Sequence, residues 1–314
     1  MSHDTPEDRT SGGDRIDRRP APQRSVEKPS VSGDRNRRER LEAKYPGLSF
    51  HSAGVENAGI AERKTLLEEP TPREAHYIRN HYPSPEIDGI EWTISLSGEV
   101  ERKTALGVHE LIDGYPKTTV RHVMECAGNG REQFDGRIPG VPWRFGALGC
   151  AEWSGASLAT ILDRHGADSD ADWLLVAGGD GSENDPVYAR SLPMWKAKES
   201  VLAYRMNDEA LRTEHGFPVR LIVPGWYGNN CVKWVSELRV MDVPIAGEEW
   251  DGYDRWQNRG YRIVPENETP ITSGEIKHFD VLSAIEAGVE HPYIYDQLVK
   301  SIIATPDDNA VFDS

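Results

Sequence analysis

The sequence predicts an α+β fold. Apolar strand-like runs occur at Trp92–Gly98, Val120–Met124 and Trp173–Ala177. Helical spacing appears only in isolated short segments, and no strand–helix–strand period of the doubly wound kind joins them. No internal repeat appears in the chain.

In chain order, residues 1–45 are rich in Arg, Asp, Ser, Pro and Gly and have no apolar period. They predict a disordered tail, with order beginning near Tyr45-Pro46-Gly47. Residues 71–84 are irregular and hold Arg79-Asn80-His81 in front of Pro83. Trp92–Gly98 alternates as a strand does, and Ala105–Ile112 suits a short helix. Val120–Met124 predicts a strand that runs into Cys126 and then the small residues Ala127, Gly128, Asn129 and Gly130. Gly140–Gly146 is turn-rich, and a helix with a serine cap is expected within Trp153–His165. Trp173–Ala177 is a buried strand ending in the turn Gly178–Gly181. Val201–Leu211 reads as a strand and tight turn. His215–Gly228 and Cys231–Val235 read as strands broken by Gly and Pro, and Trp256–Tyr261 as a polar, aromatic loop.

Composition narrows the function. Among 314 residues, 52 are Asp or Glu and 36 are Lys or Arg, a net charge of −16. So acidic a chain is a poor partner for nucleic acid or an anionic membrane. It resembles proteins of salt-rich cytoplasm, whose carboxylate surfaces stay hydrated. Cys126, Cys150 and Cys231 are too widely spaced for a disulfide framework or a haem-attachment motif. No apolar run reaches the ~18 residues of a membrane span, and the first residues lack an apolar signal core. These features together predict a cytoplasmic location.

Cys126 is the centre of interest. A thiol at a strand tip before glycines suits a nucleophile, a redox thiol, a metal ligand or a buried structural cysteine. No Gly-x-Ser-x-Gly elbow, Walker loop or clustered zinc-ligand pattern accompanies it. Arg79, Arg131, His215, Arg220 and Lys233 lie beside Gly or Pro turns in an otherwise acidic chain. They form a candidate anion-receiving set, with Arg suited to bidentate contacts.

These motifs, in this order, resemble the sulfite oxidase family of molybdopterin-dependent oxidoreductases. The resemblance covers residues 71–262. It rests on Arg79-Asn80-His81, Cys126-Ala-Gly-Asn129 with Arg131, Trp143-Arg-Phe-Gly-Ala147, Trp153-Ser-Gly-Ala156, Leu202-Ala-Tyr-Arg-Met-Asn207, His215-Gly-Phe-Pro-Val-Arg220, Val223-Pro-Gly225 and Val232-Lys-Trp234. It implies the mixed α/β molybdopterin-binding domain of that family over residues 46–262, and oxygen-atom transfer that converts sulfite to sulfate at a molybdenum–oxo centre. Cys126 would supply the thiolate ligand to molybdenum. Tyr77, Ile78, Arg79, Asn80, His81, Asp180, His215, Arg220, Cys231, Val232 and Lys233 would hold the pterin and its phosphate. Arg79, Arg131, Tyr261 and Trp143 would form the substrate pocket.

The resemblance implies one molybdenum, no haem, a small oxyanion substrate and a separate electron-transfer protein. A same-fold reductase of nitrate or an S-oxide is one alternative; a cofactor-binding protein without turnover is another. Gly130 stands where animal members of the family carry a second arginine, so a less basic pocket is expected. By the same resemblance, residues 263–314 would be a linker and, at Leu298–Asp308, the opening of the family's immunoglobulin-like dimerisation domain. Such a domain needs ~100 residues, which makes a homodimer doubtful on this sequence.

Overall fold

A computed structural model describes residues 31–52, 54–87, 89, 91–134, 140–180, 187–245, 257, 261, 294–302 and 304. Most of the expected tail (1–30), and most of residues 263–314, lie outside these. The described elements run α1 (Val31–Lys44), β1 (Leu48–Ser52), β2 (Asn57–Ile60), β3 (Ile78–Arg79), β4 (Thr93–Gly98), β5 (Thr104–Gly107), α2 (Val108–Gly114), β6 (Lys117–Glu125), β7 (Leu148–Ser157) and α3 (Leu158–His165). They continue with β8 (Trp173–Gly178), β9 (Ala189–Pro193), α4 (Met194–Lys198), β10 (Val201–Met206), β11 (Glu209–Ala210), β12 (Arg220–Ile222) and β13 (Val235–Met241). The α+β class is therefore the one observed.

Three sheets carry these strands. A small sheet is ordered β1-β2-β3; a second is β11-β10-β7-β6, with β12 also paired to β10; a third is β5-β4-β13-β8-β9. Every pairing between these strands is antiparallel except β4 with β13. The main core joins the second and third sheets through Ile94, Leu106, Trp153, Leu174, Leu202 and Leu238. A smaller core under the first sheet gathers Leu41, Tyr45, Phe50, Ile78 and Phe145.

Four expectations need correcting. Order does not begin at Tyr45: residues 31–44 are helical. Leu41 and Tyr45 are buried, and Lys44 Nζ donates to Glu214 Oε2 at 2.6 Å, a partner 170 residues away. A weakly apolar helix is held here by tertiary contacts that local pattern does not encode. Trp153–Ser157 is strand rather than helix, because Trp153 pairs with Val120 and Met206 within the sheet. The helix begins only at Leu158 and stops at left-handed Gly166, whose φ is 64°. Ala105–Ile112 divides into the end of β5 and the start of α2. Cys231–Trp234 precedes the strand instead of starting it, since Trp234 turns the chain with φ 51°.

The β10–β11 turn matches expectation. Asn207 and Asp208 have φ of 50° and 60°, the paired left-handed geometry of a tight hairpin.

Candidate active site

β6 carries inward-facing His122 and Met124 and ends at Glu125. Cys126 follows directly. Its amide donates to Ala147 O at 2.8 Å, and its carbonyl accepts from Asn129 N at 2.9 Å. The thiol is thus fixed by backbone at the strand tip, where it faces a hollow of about 600 Å³ that includes open solvent. Tyr77, Arg79, Asn80, His81, Asp180, His215, Arg220, Cys231, Lys233 and Tyr261 line the same hollow. Segments up to 184 residues apart in sequence converge there because β3 and β6 end, and β12 begins, at its wall. Gly228 lets the wall close: a Cβ there would stand 2.4 Å from Tyr77 Oη.

Its electrostatics are unusual for so acidic a chain. Arg220 is buried over the Trp153 ring at 4.8 Å. It donates through Nη1 to His215 O at 2.9 Å and through Nη2 to Cys231 O at 3.2 Å. Lys233 Nζ donates to Glu214 O at 2.9 Å and to Asn80 Oδ1. Burial, then the Arg220 charge, pushes the Lys233 ammonium down to about 7. Burial raises the Asp180 carboxyl to about 7, against the pull of Lys233. Burial, with His76 and Arg220 adding to it, holds His215 well below the usual imidazole range. His215 is therefore neutral, and its Nε2–H donates to Arg73 O at 3.2 Å. Tyr261 Oη lies 2.9 Å from His81 Nε2, whose ring stacks on Tyr188 at 4.6 Å.

Four expected residues are placed elsewhere. Ile78 points into the smaller core and Val232 into the main one, so neither side chain reaches the hollow. Trp143 is buried with its ring edge-on to His51 at 4.9 Å, as core and not as pocket wall. The Arg131 guanidinium is wedged between two glycines, because a Cβ on Gly128 or Gly140 would meet it at 2.4 or 2.7 Å. Its Nη1 donates to Val141 O at 2.7 Å. Arg131 therefore seals two loops and does not line the hollow.

Residues not anticipated also line it: Met124, Tyr188, Glu214, Asn229 and Trp234. Glu214 and Trp234 adjoin the expected His215 and Lys233 and could have been inferred from that adjacency. Tyr188, which donates to Asn229 O at 2.6 Å, carried no local signal.

The hollow can be tested for a phosphate-bearing pterin. Arg220 Nε and Asp180 Oδ1 are buried without a hydrogen-bond partner among the described residues. One is a charge-bearing donor and the other an acceptor, and buried groups of this kind call for a ligand. The residues therefore fit a group that is anionic at one end and rich in N–H donors at another.

Residues 81–249 match the family described as "oxidoreductase molybdopterin binding domain". The chain belongs to this family. It is 34% identical over 247 residues to the mitochondrial sulfite oxidase of Drosophila melanogaster, covering 76% of this chain and 39% of that one. It is 31% identical over 253 residues to an NADH nitrate reductase of Lotus japonicus, covering 75% and 26%. Among solved structures, the sulfane dehydrogenase SoxCD of Paracoccus pantotrophus aligns with a TM-score of 0.60 and 26% identity, covering 82% of this chain and 61% of that chain. The chain spans less than half the length of the two curated relatives. Sulfite oxidases and nitrate reductases together bear out the family resemblance, and with it Mo-molybdopterin as the cofactor. No helix among the described residues is long and apolar enough to cross a membrane.

A pH effect follows from the packing behind this site. Burial, then Arg220, lowers the His122 imidazole to about 4, from an ordinary 6.5. Native His122 therefore resists protonation that the unfolded chain accepts. Its contribution to stability is complete above pH 6.5 and is lost as pH falls toward 4, by up to about 3 kcal/mol. Urea unfolding of His122→Gln between pH 7 and 4.5 should show a shallower decline than the parent; an identical slope would refute this account.

Proposed function

We propose that this chain is the catalytic domain of a molybdenum oxidoreductase that acts on a small oxyanion, with sulfite as the favoured substrate. The observation that carries this reading is the buried thiol of Cys126, at the tip of β6, facing a hollow lined by Arg79, Arg220 and Lys233. Cys126 would give its sulfur to molybdenum, since a soft thiolate suits a metal held by sulfur ligands. Arg220, Lys233 and neutral His215 would receive the pterin phosphate, while Asp180 would accept from its N–H groups. The bound cofactor would supply two-electron oxygen-atom exchange.

The chain's own residues set the surroundings. Arg79 is the candidate for holding the oxyanion, and its guanidinium also donates to Asn57 Oδ1 at 3.2 Å, which fixes its direction. Burial raises the Tyr261 hydroxyl above its ordinary range. It therefore keeps its proton at neutral pH and can donate a hydrogen bond, with His81 Nε2 positioned to share that proton. We place Arg131 and Trp143 in support of this pocket, Arg131 through its loops and Trp143 through the core. A separate protein would take the electrons.

Nitrate reduction is the second reading, because nitrate reductases match about as well as sulfite oxidases do. Protein from a molybdate-fed host should reduce ferricyanide with sulfite as the electron donor, and should oxidise a reduced dye with nitrate as acceptor much more slowly. Arg79→Gln should raise the sulfite KM at least about tenfold, with a smaller change in kcat. Soluble, folded protein that contains no molybdenum would overturn the proposal, and turnover of nitrate alone would select the second reading.

A further inference from the structure

The loop that carries Cys126 is held by a contact from far down the chain. Glu125, the residue before the thiol, is buried. Its Oε1 accepts from Asn129 Nδ2 at 3.0 Å. The same oxygen accepts from Lys300 Nζ, 175 residues away, and Lys300 Nζ also donates to Asn129 O at 3.2 Å. Asn129 Oδ1 in turn accepts from Ala147 N at 3.1 Å. The ammonium thereby closes a ring of polar contacts around residues 125–129. It sits over open backbone: a Cβ on Gly130 would stand 4.0 Å from Lys300 Nζ, and Gly130 takes φ 85°, which disfavours any side chain there.

The segment that delivers Lys300 is itself anchored. Tyr295 stacks on Trp226 at 4.1 Å. Gln297 Nε2 donates to Val123 O at 2.7 Å and to Trp226 O at 2.9 Å. Ile302 packs on the smaller core. The segment thus meets the end of β6 at Val123 and Glu125, just before the thiol.

We propose that Glu125 and Lys300 form a charge lock that positions the Cys126 loop, with Lys300 as a positioning residue supplied by the 294–302 segment. A carboxylate buried beside a thiolate ligand and an anion-binding hollow would repel both unless a cation neutralises it. Lys300, which is not among the residues lining the hollow, provides that cation. Its importance to chemistry rests on the reading of Cys126 as the metal's ligand; its role in ordering the loop does not.

The test is amide hydrogen exchange of residues 126–130 in the full, cofactor-free chain, read by mass spectrometry. Lys300→Met keeps the aliphatic stem but strands the carboxylate, so exchange should speed up about tenfold or more. Adding Glu125→Gln should restore protection, because the amide can take an N–H from Asn129 and give one to Asn129 O without any cation. Parental exchange in Lys300→Met would overturn the proposal. So would a double variant as open as the single, which would mean that the segment acts by packing and not by charge. Molybdenum content of the parent, these variants and Cys126→Ser, each made in a molybdate-fed host, separates the two readings. A working lock in a chain whose molybdenum survives Cys126→Ser would leave the lock standing and remove the ligand assignment.

Discussion

Cys126→Ser should yield a folded protein that retains almost no molybdenum and oxidises sulfite at least about a thousandfold more slowly than the parent. The fold should survive because Ala147 O and Asn129 N hold Cys126 through its backbone N–H and C=O, which serine keeps. The cofactor should not survive, because an alcohol stays protonated at neutral pH where a metal-bound thiol does not. Metal analysis per folded chain, beside the turnover rate, decides the matter. Parental metal content and rate in the variant would show that the thiol is structural.

Lys233→Met is expected to act on stability and on cofactor binding in opposite directions. The buried ammonium has a native pKa of about 7, against an ordinary 10.5. Between these values the unfolded chain holds a proton that the native, cofactor-free chain has lost. Stability of the parent should therefore rise as pH increases from 7 to 10.5, and at pH 7 the lysine costs the fold on the order of 3 kcal/mol. Methionine removes that cost and forfeits two hydrogen bonds, to Asn80 Oδ1 and Glu214 O. The cofactor-free variant should melt roughly 5 °C higher at neutral pH, with the difference shrinking by pH 10. Pterin retention should fall by about thirtyfold or more, since a phosphate would lose a buried cation. Calorimetry from pH 7 to 10 and fluorescence of the released, oxidised pterin would measure both. A variant less stable than the parent at pH 7, with unaltered pterin content, would contradict the role given to Lys233.

The site was legible where chemistry is local. Cys126 at a strand end and glycines after it were visible in one short stretch, and the Asn207-Asp208 hairpin followed from residue type. The helix at 31–44 was not legible, because its own sequence is nearly all polar. Its anchors, Leu41 and Lys44, find their partners only in the folded chain. Trp153–Ser157 was misread for a related reason. A run of small and apolar residues suits either state, and pairing with β6 and β10 settles it as strand.

What the sequence determined by itself was the kind of chemistry: a thiol, a set of cations beside turns, and an order of motifs that belongs to one family of molybdopterin-binding domains. Which cations share a cavity was decided only by tertiary structure. Arg79, Arg220 and Lys233 face one hollow, while Arg131, just five residues from Cys126, bends away between Gly128 and Gly140. Lys300 reaches the cysteine loop from 175 positions away. Proximity along the chain limits which residues can meet, but the direction in which a side chain leaves its strand or turn is set by the neighbours that pack against it, and those arrive from distant segments.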